Sequence, residues 1–342
     1  MAKPKRIKGI DCDSAAAAGI RSVLITRFGE MVTLRKAALD WSDPEGVHSM
    51  RVASRRLRSA LRDFTPYVRK RGITASGKQI KSIADALGEV RDQDVAITAL
   101  EKTATQARAE VSAALKEFIV SRMETRDQAR QKLKSILRGS QLKQLEADFT
   151  AAVDVVTATD GGKIGRTQSA ANLTYLKMAR SVMLDRLREM EKMSDNLYKP
   201  FRIEPLHEMR IAAKRLRYAL ELFEQCWGHT ISVYAKRAAR VQSALGQVHD
   251  CDVWIESFGK HIVEARKQKE TDQSDAFDWL LSHFIKLRTR HLREAFVRWR
   301  EWEVEGMSGK LREMLHAPER APESVRAGTS TKDQSLLSHA TK

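Results

Sequence analysis

The chain contains few of the residues that interrupt helices. Its 342 residues include only 7 prolines and 17 glycines, the two residue types least favourable in helix interiors. Alternation of polar and apolar residues at a period of two, typical of half-buried strands, is also absent. Long stretches rich in Ala, Leu, Lys, Arg, Glu and Gln follow the helical period instead. The sequence therefore predicts an all-α protein.

Cysteines and long apolar runs are also scarce. The three cysteines, Cys12, Cys226 and Cys251, are odd in number, far apart and not in any CxxC pair, so neither a disulfide framework nor a zinc site is expected. No uncharged apolar run approaches the roughly 20 residues that cross a bilayer. The N-terminal residues 1–14 are basic, with no apolar segment behind them. We expect a cytoplasmic protein that is neither exported nor inserted in a membrane.

Signatures of nucleotide and cofactor sites are missing. There is no Walker sequence and no glycine-rich turn between a strand and a helix, so the sequence predicts no cofactor, no metal and no catalytic residue. What the chain does have is positive charge, with 61 Lys and Arg against 44 Asp and Glu and a formal net charge of +17. This excess indicates a polyanionic partner: nucleic acid, an acidic membrane face or a phosphate polymer.

One motif occurs twice, with histidines at His48 and His207, 159 positions apart. The copies read VHSMRVASRRLRSAL from Val47 and LHEMRIAAKRLRYAL from Leu206. Steps of three and four residues place the basic side chains on one helix face and the apolar ones on the opposite face. The basic face carries His48, Arg51, Arg55, Arg58 and Arg62 in the first copy, and His207, Arg210, Lys214 and Arg217 in the second.

A second pair of segments repeats in the same order. ALGEVRDQDV from Ala86 matches ALGQVHDCDV from Ala244, so the chain is predicted to be two colinear helical halves. Asp43 is a good N-cap and Pro44 a good first residue for the first motif helix, which is predicted to run to about Phe64 and to be stopped by Thr65-Pro66 and Gly72. A third helix is predicted from about Ser76 to Leu100, and the final helical segment from about Ser274 to Leu315. The predicted divisions are a basic N-terminal arm at 1–14, a first half at 15–156, a linker at 157–167, a second half at 168–316 and a disordered tail at 317–342.

These two repeated motifs, in an all-helical duplicated chain, resemble the CHAD family, the conserved histidine alpha-helical domain. The resemblance covers about residues 15–315. It implies two four-helix bundles related by pseudo-twofold symmetry, with a central basic groove or pore that binds inorganic polyphosphate. It also implies association with polyphosphate granules. Relatives that add a triphosphate tunnel domain carry a Glu-x-Glu-x-Lys strand, which this chain lacks, so it resembles a stand-alone CHAD protein.

The resemblance carries the ligand contacts onto matching positions of this sequence. The predicted polyphosphate ligands are His48, Arg51, Arg55, Arg58, His207, Arg210, Lys214 and Arg217, with Lys78 and Lys236 as second-rank contacts. Arg91 and His249 also correspond to each other. Arg62 departs from the symmetry because Glu221 stands at its counterpart, and Arg56 and Arg215 lie off both helix faces.

Two chemical alternatives apply to these motifs. His48 or His207 could accept a phosphoryl group, or each could simply donate a hydrogen bond to a bound anion; the second reading is favoured because no base, metal or nucleotide signature accompanies them. Asp92, Asp94, Asp250 and Asp252 could hold Mg²⁺ near phosphate, or pair with basic side chains. Pairing is favoured, because the first half has Arg91 where the second has His249.

The sequence thus favours a non-catalytic, cytoplasmic polyphosphate-binding protein. Arginine matches phosphate oxygens with a rigid fork of donors. The second hypothesis is a general polyanion or single-stranded nucleic-acid binder, against which the 6% aromatic content counts, because such proteins stack bases on aromatic rings. The third is an enzyme acting on polyphosphate or on a phosphorylated metabolite.

Overall fold

The computed structural model describes residues 7, 9–68, 70–158, 173–268 and 271–317. Its helices, in chain order, are α1 (Ala16–Thr33), α2 (Arg35–Ala38), α3 (Pro44–Phe64), α4 (Lys70–Ala104), α5 (Ala109–Ile136), α6 (Gly139–Thr157), α7 (Tyr175–Lys192), α8 (Ile203–Leu222), α9 (Glu224–Trp227), α10 (Ser232–Gln268), α11 (Thr271–Val304) and α12 (Met307–His316). Within the described ranges no β-strand forms. The predicted all-α fold is confirmed.

The first motif helix begins where the sequence predicts. The Asp43 side chain accepts a hydrogen bond from the Glu45 backbone N–H at 2.9 Å, and Pro44 is the first residue of α3. The apolar face of α3 is buried, with Met50, Leu57 and Phe64 fully enclosed. An N-cap satisfies one of the donors that a helix start leaves open, so these short-range rules fix the register of the basic face.

Several predicted helix bounds were wrong. The prediction ends the helical region before Gly72 and restarts it near Ser76, but α4 runs unbroken from Lys70 to Ala104. The last helical segment, predicted as continuous to Leu315, breaks at Gly306, whose φ of +60° is a left-handed conformation that glycine adopts readily. A glycine inside a helix costs only about 1 kcal/mol, which packing along a long helix outweighs.

Helix bounds in the second half repeat those of the first. α1 and α7 correspond at the offset of the histidine motif, and so do the starts of α3 and α8. Two pairs of equivalent positions are in direct contact: Ala15 bridges Thr174, and the rings of Phe64 and Phe223 lie 6.1 Å apart. Contacts between equivalent residues are what a local twofold axis would produce. The twofold relation itself stays a prediction.

The buried side chains of the two halves form one continuous core. This core draws on α1, α3 and α6 from the first half and on α7, α8 and α12 from the second. A smaller core forms farther along, where the end of α4 and the start of α5 meet the end of α10 and the start of α11. Both halves therefore contribute to both cores, and α3 and α8 are held against each other at the centre.

Two cysteines form a disulfide, which corrects the expectation that none would. Cys12 and Cys226 are bonded, with their Cα atoms 5.8 Å apart, and Cys251 is free and buried. Their sequence separation of 214 hides the proximity. Pairing of the chain near Cys12 with residues 173–176 carries Cys12 to the second half: the Leu176 N–H donates to the Cys12 carbonyl at 2.9 Å.

Some sequence predictions fall outside the described residues. These are most of the N-terminal arm, the linker beyond residue 158 and the tail beyond residue 317. In the ranges that are described, no helix combines the length and the apolar character needed to cross a bilayer.

Candidate functional site

An open cleft lies between α3, α4 and α8. It has a volume of about 600 Å³ and is lined by residues of both halves. Its cationic lining side chains outnumber the carboxylates of Asp85, Glu89 and Asp92 by two to one. The cationic ones are Arg51, Arg55, Arg58, Arg62, Lys214 and Arg215.

Lys214 shows how strongly the cations are concentrated. Its pKa is lowered from 10.5 to about 8, first by burial and then by Arg210, Arg55, Arg62 and Arg215. Arg55 and Arg62 belong to α3, whereas Lys214 belongs to α8. The basic faces of the two motif helices therefore converge around Lys214. Residues of α8 alone do not account for its lowered pKa. Burial and neighbouring positive charge both disfavour the protonated ammonium, so a bound anion would be expected to raise this pKa again.

Carboxylates of α4 pair with some of these cations at the cleft edge. An Arg51 Nη2 donates to Asp92 Oδ1 at 2.7 Å, and Arg58 Nη1 lies 3.6 Å from Asp85 Oδ1. The Asp92 side chain is nevertheless 66% exposed. Burial and Asp92 both raise the pKa of Asp250, outweighing the opposite effect of Arg210. These surface pairs orient the arginines without closing the cleft.

The two motif histidines have different surroundings. His207 Nδ1 lies 3.2 Å from His249 Nδ1. Burial and then Arg210 lower the pKa of His249 to about 4, and the same two causes lower that of His207. In the first half, Arg91 takes the place of His249, and after burial it is the main cause that lowers the pKa of His48. Both motif histidines therefore sit in cationic surroundings, which disfavour their protonation.

Arg217 does not line the cleft, although the sequence places it on the basic face. It is only 9% exposed, its Nε donates to Glu221 Oε1 at 2.7 Å, and its Nη1 donates to Gln242 Oε1 at 3.3 Å. Its counterpart Arg58 does line the cleft, as does Arg62, the counterpart of Glu221. Where the first half has two cleft-lining arginines, Arg58 and Arg62, the second half therefore has an internal ion pair between Arg217 and Glu221.

The sequence reasoning missed two charged clusters at equivalent positions of the two halves, of which the first is buried and the second half-buried. Arg27 Nη1 donates to Glu30 Oε2 at 2.7 Å, and Arg56 Nη1 lies 3.9 Å from Glu30 Oε1. The equivalent cluster in the second half consists of Arg186, Glu189 and Arg215, with Arg186 Nη1 at 2.9 Å from Glu189 Oε2 and Arg215 paired with the same carboxylate. The motif offset relates every member of the two clusters.

These clusters explain Arg56 and Arg215, which lie off both helix faces. Arg215 reaches from the α7 carboxylate of Glu189 to the cleft wall, so it belongs to both. The fully buried Asp63 adds a further anchor, because Arg186 Nη2 lies 2.9 Å from its Oδ1 and Arg62 Nη2 lies 3.2 Å away. Comparing α1 with α7 at the motif offset would have shown from sequence that the two clusters are built from residues at equivalent positions.

The second-rank lysines lie outside the cleft lining. Lys78 and Lys236 are both exposed, on α4 and α10. Lys78 lies two turns before Asp85 on the same face of α4, since seven residues make about two helical turns. The structure therefore brings Arg51, Arg55, Arg58 and Lys214 together with Arg210 beside them, and leaves Lys78 and Lys236 apart from this group.

The four aspartates divide between two sides of their helices. Asp92 and Asp250 face the motif arginines, whereas the buried Asp252 accepts a hydrogen bond from Arg288 Nε at 2.5 Å. Asp94 lies 4.0 Å from both Arg126 and Arg130 of α5. Pairing with basic side chains is the arrangement seen. Across the described ranges, no group of three or more His, Cys, Asp or Glu side chains is placed to hold a metal ion.

The family model of the CHAD domain matches residues 22–259. The crystal structure of the CHAD domain from the plant Ricinus communis is similar, with a TM-score of 0.65, 21% identity and coverage of 93% of this chain and 97% of that one. PptA from Streptomyces chartreusis is also similar, with a TM-score of 0.60, 12% identity and coverage of 84% and 100%. At these identities the two structures show the fold alone. None of the curated proteins matches the chain significantly.

Proposed function

The chain belongs to the CHAD domain family, and from this premise we propose that it binds inorganic polyphosphate in the cleft between α3, α4 and α8. Polyphosphate is the ligand that membership of the family implies. The observation that carries the proposal for this particular site is Lys214, whose pKa falls to about 8 among arginines of both halves. A polyanion in the cleft would supply the missing negative charge.

The shape and chemistry of the cleft suit a phosphate polymer. The cleft offers a row of arginine forks and presents few rings, since Tyr218 is the one aromatic residue in its lining. Phosphate oxygens accept bidentate hydrogen bonds from arginine, and polyphosphate has no bases for a protein to read. Low-dielectric walls concentrate the field of these cations. Binding should therefore be strong and weaken steeply with salt, because neutralised phosphates release their counterions.

We also propose that binding is non-catalytic. In the described ranges, the hydrogen-bonding neighbour of His207 Nδ1 is His249 Nδ1, not a carboxylate of the kind that orients the imidazole of a catalytic triad. Incubation with polyphosphate and Mg²⁺, with and without nucleotide, should release no phosphate and form no nucleoside triphosphate. Turnover that His48→Ala or His207→Ala abolishes would make the protein an enzyme instead. The family resemblance extends the proposal to association with polyphosphate granules.

Charge reversal tests the proposed site. The double variant Arg51→Glu and Arg210→Glu, with one change in each half, should lose polyphosphate binding in isothermal titration calorimetry while keeping its helical circular dichroism. The matched control reverses Arg293 and Arg300, which are exposed on α11, and so changes net charge equally. Retained affinity in the first variant, or equal losses in both, would place the ligand elsewhere.

A further inference from the structure

An exposed loop before α8 carries aromatic rings between basic side chains. Its sequence from Tyr198 to Arg202 alternates Tyr-Lys-Pro-Phe-Arg. Phe201 is 91% exposed and Tyr198 is 64% exposed. Burying a large ring contributes far more to stability than exposing it, so two such rings on one short loop are unexplained by folding. The first half has Ser42 and Leu39 at the equivalent positions, so this loop is peculiar to the second half.

The loop lies at the histidine end of the basic faces. Phe201 precedes Ile203, the first residue of α8, by two positions. His207 lies about 6 Å farther along the axis of α8 than Ile203. Arg288 ties the loop to α10, because its Nη2 donates to the Pro200 carbonyl at 2.8 Å while its Nε donates to Asp252 at 2.5 Å. The loop is therefore anchored to α10, next to the start of α8.

The loop is held in a fixed shape with its rings outward. The Arg202 N–H donates to the Lys199 carbonyl at 3.0 Å, and the ring of Tyr198 lies 5.9 Å from that of Phe296. Lys199 and Arg202 are exposed, and within the described ranges neither is paired with a carboxylate within 4 Å. Preformed rings flanked by free cations match a ligand that combines stackable rings with negative charge.

We propose that this loop binds single-stranded nucleic acid by stacking bases on Phe201 and Tyr198. The phosphates beside those bases pair with Lys199 and Arg202. Base stacking on aromatic side chains tolerates any sequence, so the site is not sequence-specific. This surface adds a second ligand class to the phosphate-only cleft, and its rings contribute nothing to binding a polymer without bases.

The test compares ligands with and without bases. A fluorescein-labelled 12-nucleotide uridine RNA, an abasic backbone of the same length and long-chain polyphosphate are titrated by anisotropy at fixed salt. We expect Tyr198→Ala with Phe201→Ala to weaken RNA binding about tenfold or more, to leave polyphosphate affinity within about twofold, and to equalise RNA and abasic backbone. The Phe201→Trp variant keeps an aromatic ring at this position, so it should retain the RNA binding that the double variant loses. Val304→Ala, at an exposed residue of α11, is the control.

Four outcomes would overturn the proposal: no RNA binding by the wild-type chain, equal wild-type affinity for RNA and abasic backbone, unchanged RNA affinity in the double variant, or parallel loss of RNA and polyphosphate binding. Sedimentation of the wild-type chain and the double variant covers a further alternative. Self-association that the ring deletions abolish would identify a second copy of the chain as the occupant. The cleft proposal is tested separately, by measuring polyphosphate binding to the Arg51→Glu and Arg210→Glu double variant.

Discussion

At the scale of the residue, the protonated side chain of Lys214 shows most clearly that one group can lower the stability of the fold and favour ligand binding. Its pKa in the folded chain is about 8, below the ordinary 10.5, so the folded state holds this proton less tightly than the unfolded state does. Below pH 8 the protonated ammonium therefore costs stability, and between about pH 8 and 10.5 that cost disappears because only the unfolded chain remains protonated. The same ammonium lines the cleft, so the charge that costs stability is available to a bound anion.

Replacing Lys214 with Met should separate the two effects. Because the variant removes a desolvated charge, we expect its free energy of unfolding at pH 7 to rise by about 1–3 kcal/mol, with the gain shrinking above pH 8. Polyphosphate affinity should fall at the same time. Urea denaturation at several pH values and calorimetric titration measure both, with the exposed Lys236→Met as the stability control. A less stable Lys214→Met variant would contradict the electrostatic account.

The paired imidazoles of His207 and His249 predict pH-dependent binding. In the free chain the pKa of His249 is about 4, and a bound polyanion favours the protonated form and raises it. The complex then holds more protons than the free protein, so affinity should increase as pH falls from 7 to 5. Titrations in buffers of different ionisation enthalpy should show proton uptake, which His249→Gln reduces. Proton release on binding would oppose this prediction.

At the scale of the element, α4 and α10 each present one aspartate to the cleft side and bury another. Asp92 is largely exposed and pairs with Arg51, whereas Asp252 is buried against Arg288. Asp92→Asn should leave stability nearly unchanged and raise polyphosphate affinity, because it frees a cleft arginine. Asp252→Asn breaks a buried ion pair and should cost about 3 kcal/mol of stability. Thermal denaturation and titration of both variants check this; equal effects of the two on stability would contradict the division.

Helix existence and basic faces follow from local patterns, and sequence predicts them well. The N-cap at Asp43, the buried apolar face of α3 and the correspondence of α3 with α8 all rest on residues close in the chain. The start of α4 before Gly72 depends instead on packing along a long helix, and the break at Gly306 depends on a left-handed backbone conformation. Arg217 illustrates the limit for the site: its spacing matches Arg58, but Glu221 and Gln242 draw it into an internal network.

At the scale of the whole molecule, long-range contacts decide what the sequence hides. The clusters around Glu30 and Glu189 join α1 with α3 and α7 with α8, and neither cluster is visible within one motif. The cleft exists because one continuous core presses α3 against α8, so that arginines from each half face a shared volume. Neither half alone supplies the six cations of its lining.

The Cys12–Cys226 disulfide joins the start of the chain to α9. A cross-link over so long a separation restricts the unfolded chain, and disulfides typically contribute about 2–4 kcal/mol. Cys226→Ser should therefore lower the free energy of unfolding by that amount in oxidising buffer, and the difference from wild type should vanish with reductant. Thiol titration of the oxidised, denatured wild-type chain should detect Cys251 alone. Equal stability in oxidising buffer would mean that the disulfide contributes nothing.

Selective acylation of lysines tests the central claim, that polyphosphate occupies the cleft between α3 and α8. At pH 8 roughly half of Lys214 is neutral and reactive, whereas an ordinary lysine is well under about 1% neutral. Mass spectrometry after brief acetylation should show Lys214 modified faster than the exposed Lys236 in the free protein, and polyphosphate should suppress the modification of Lys214. Undiminished acetylation of Lys214 in the presence of saturating polyphosphate would show that the ligand binds elsewhere.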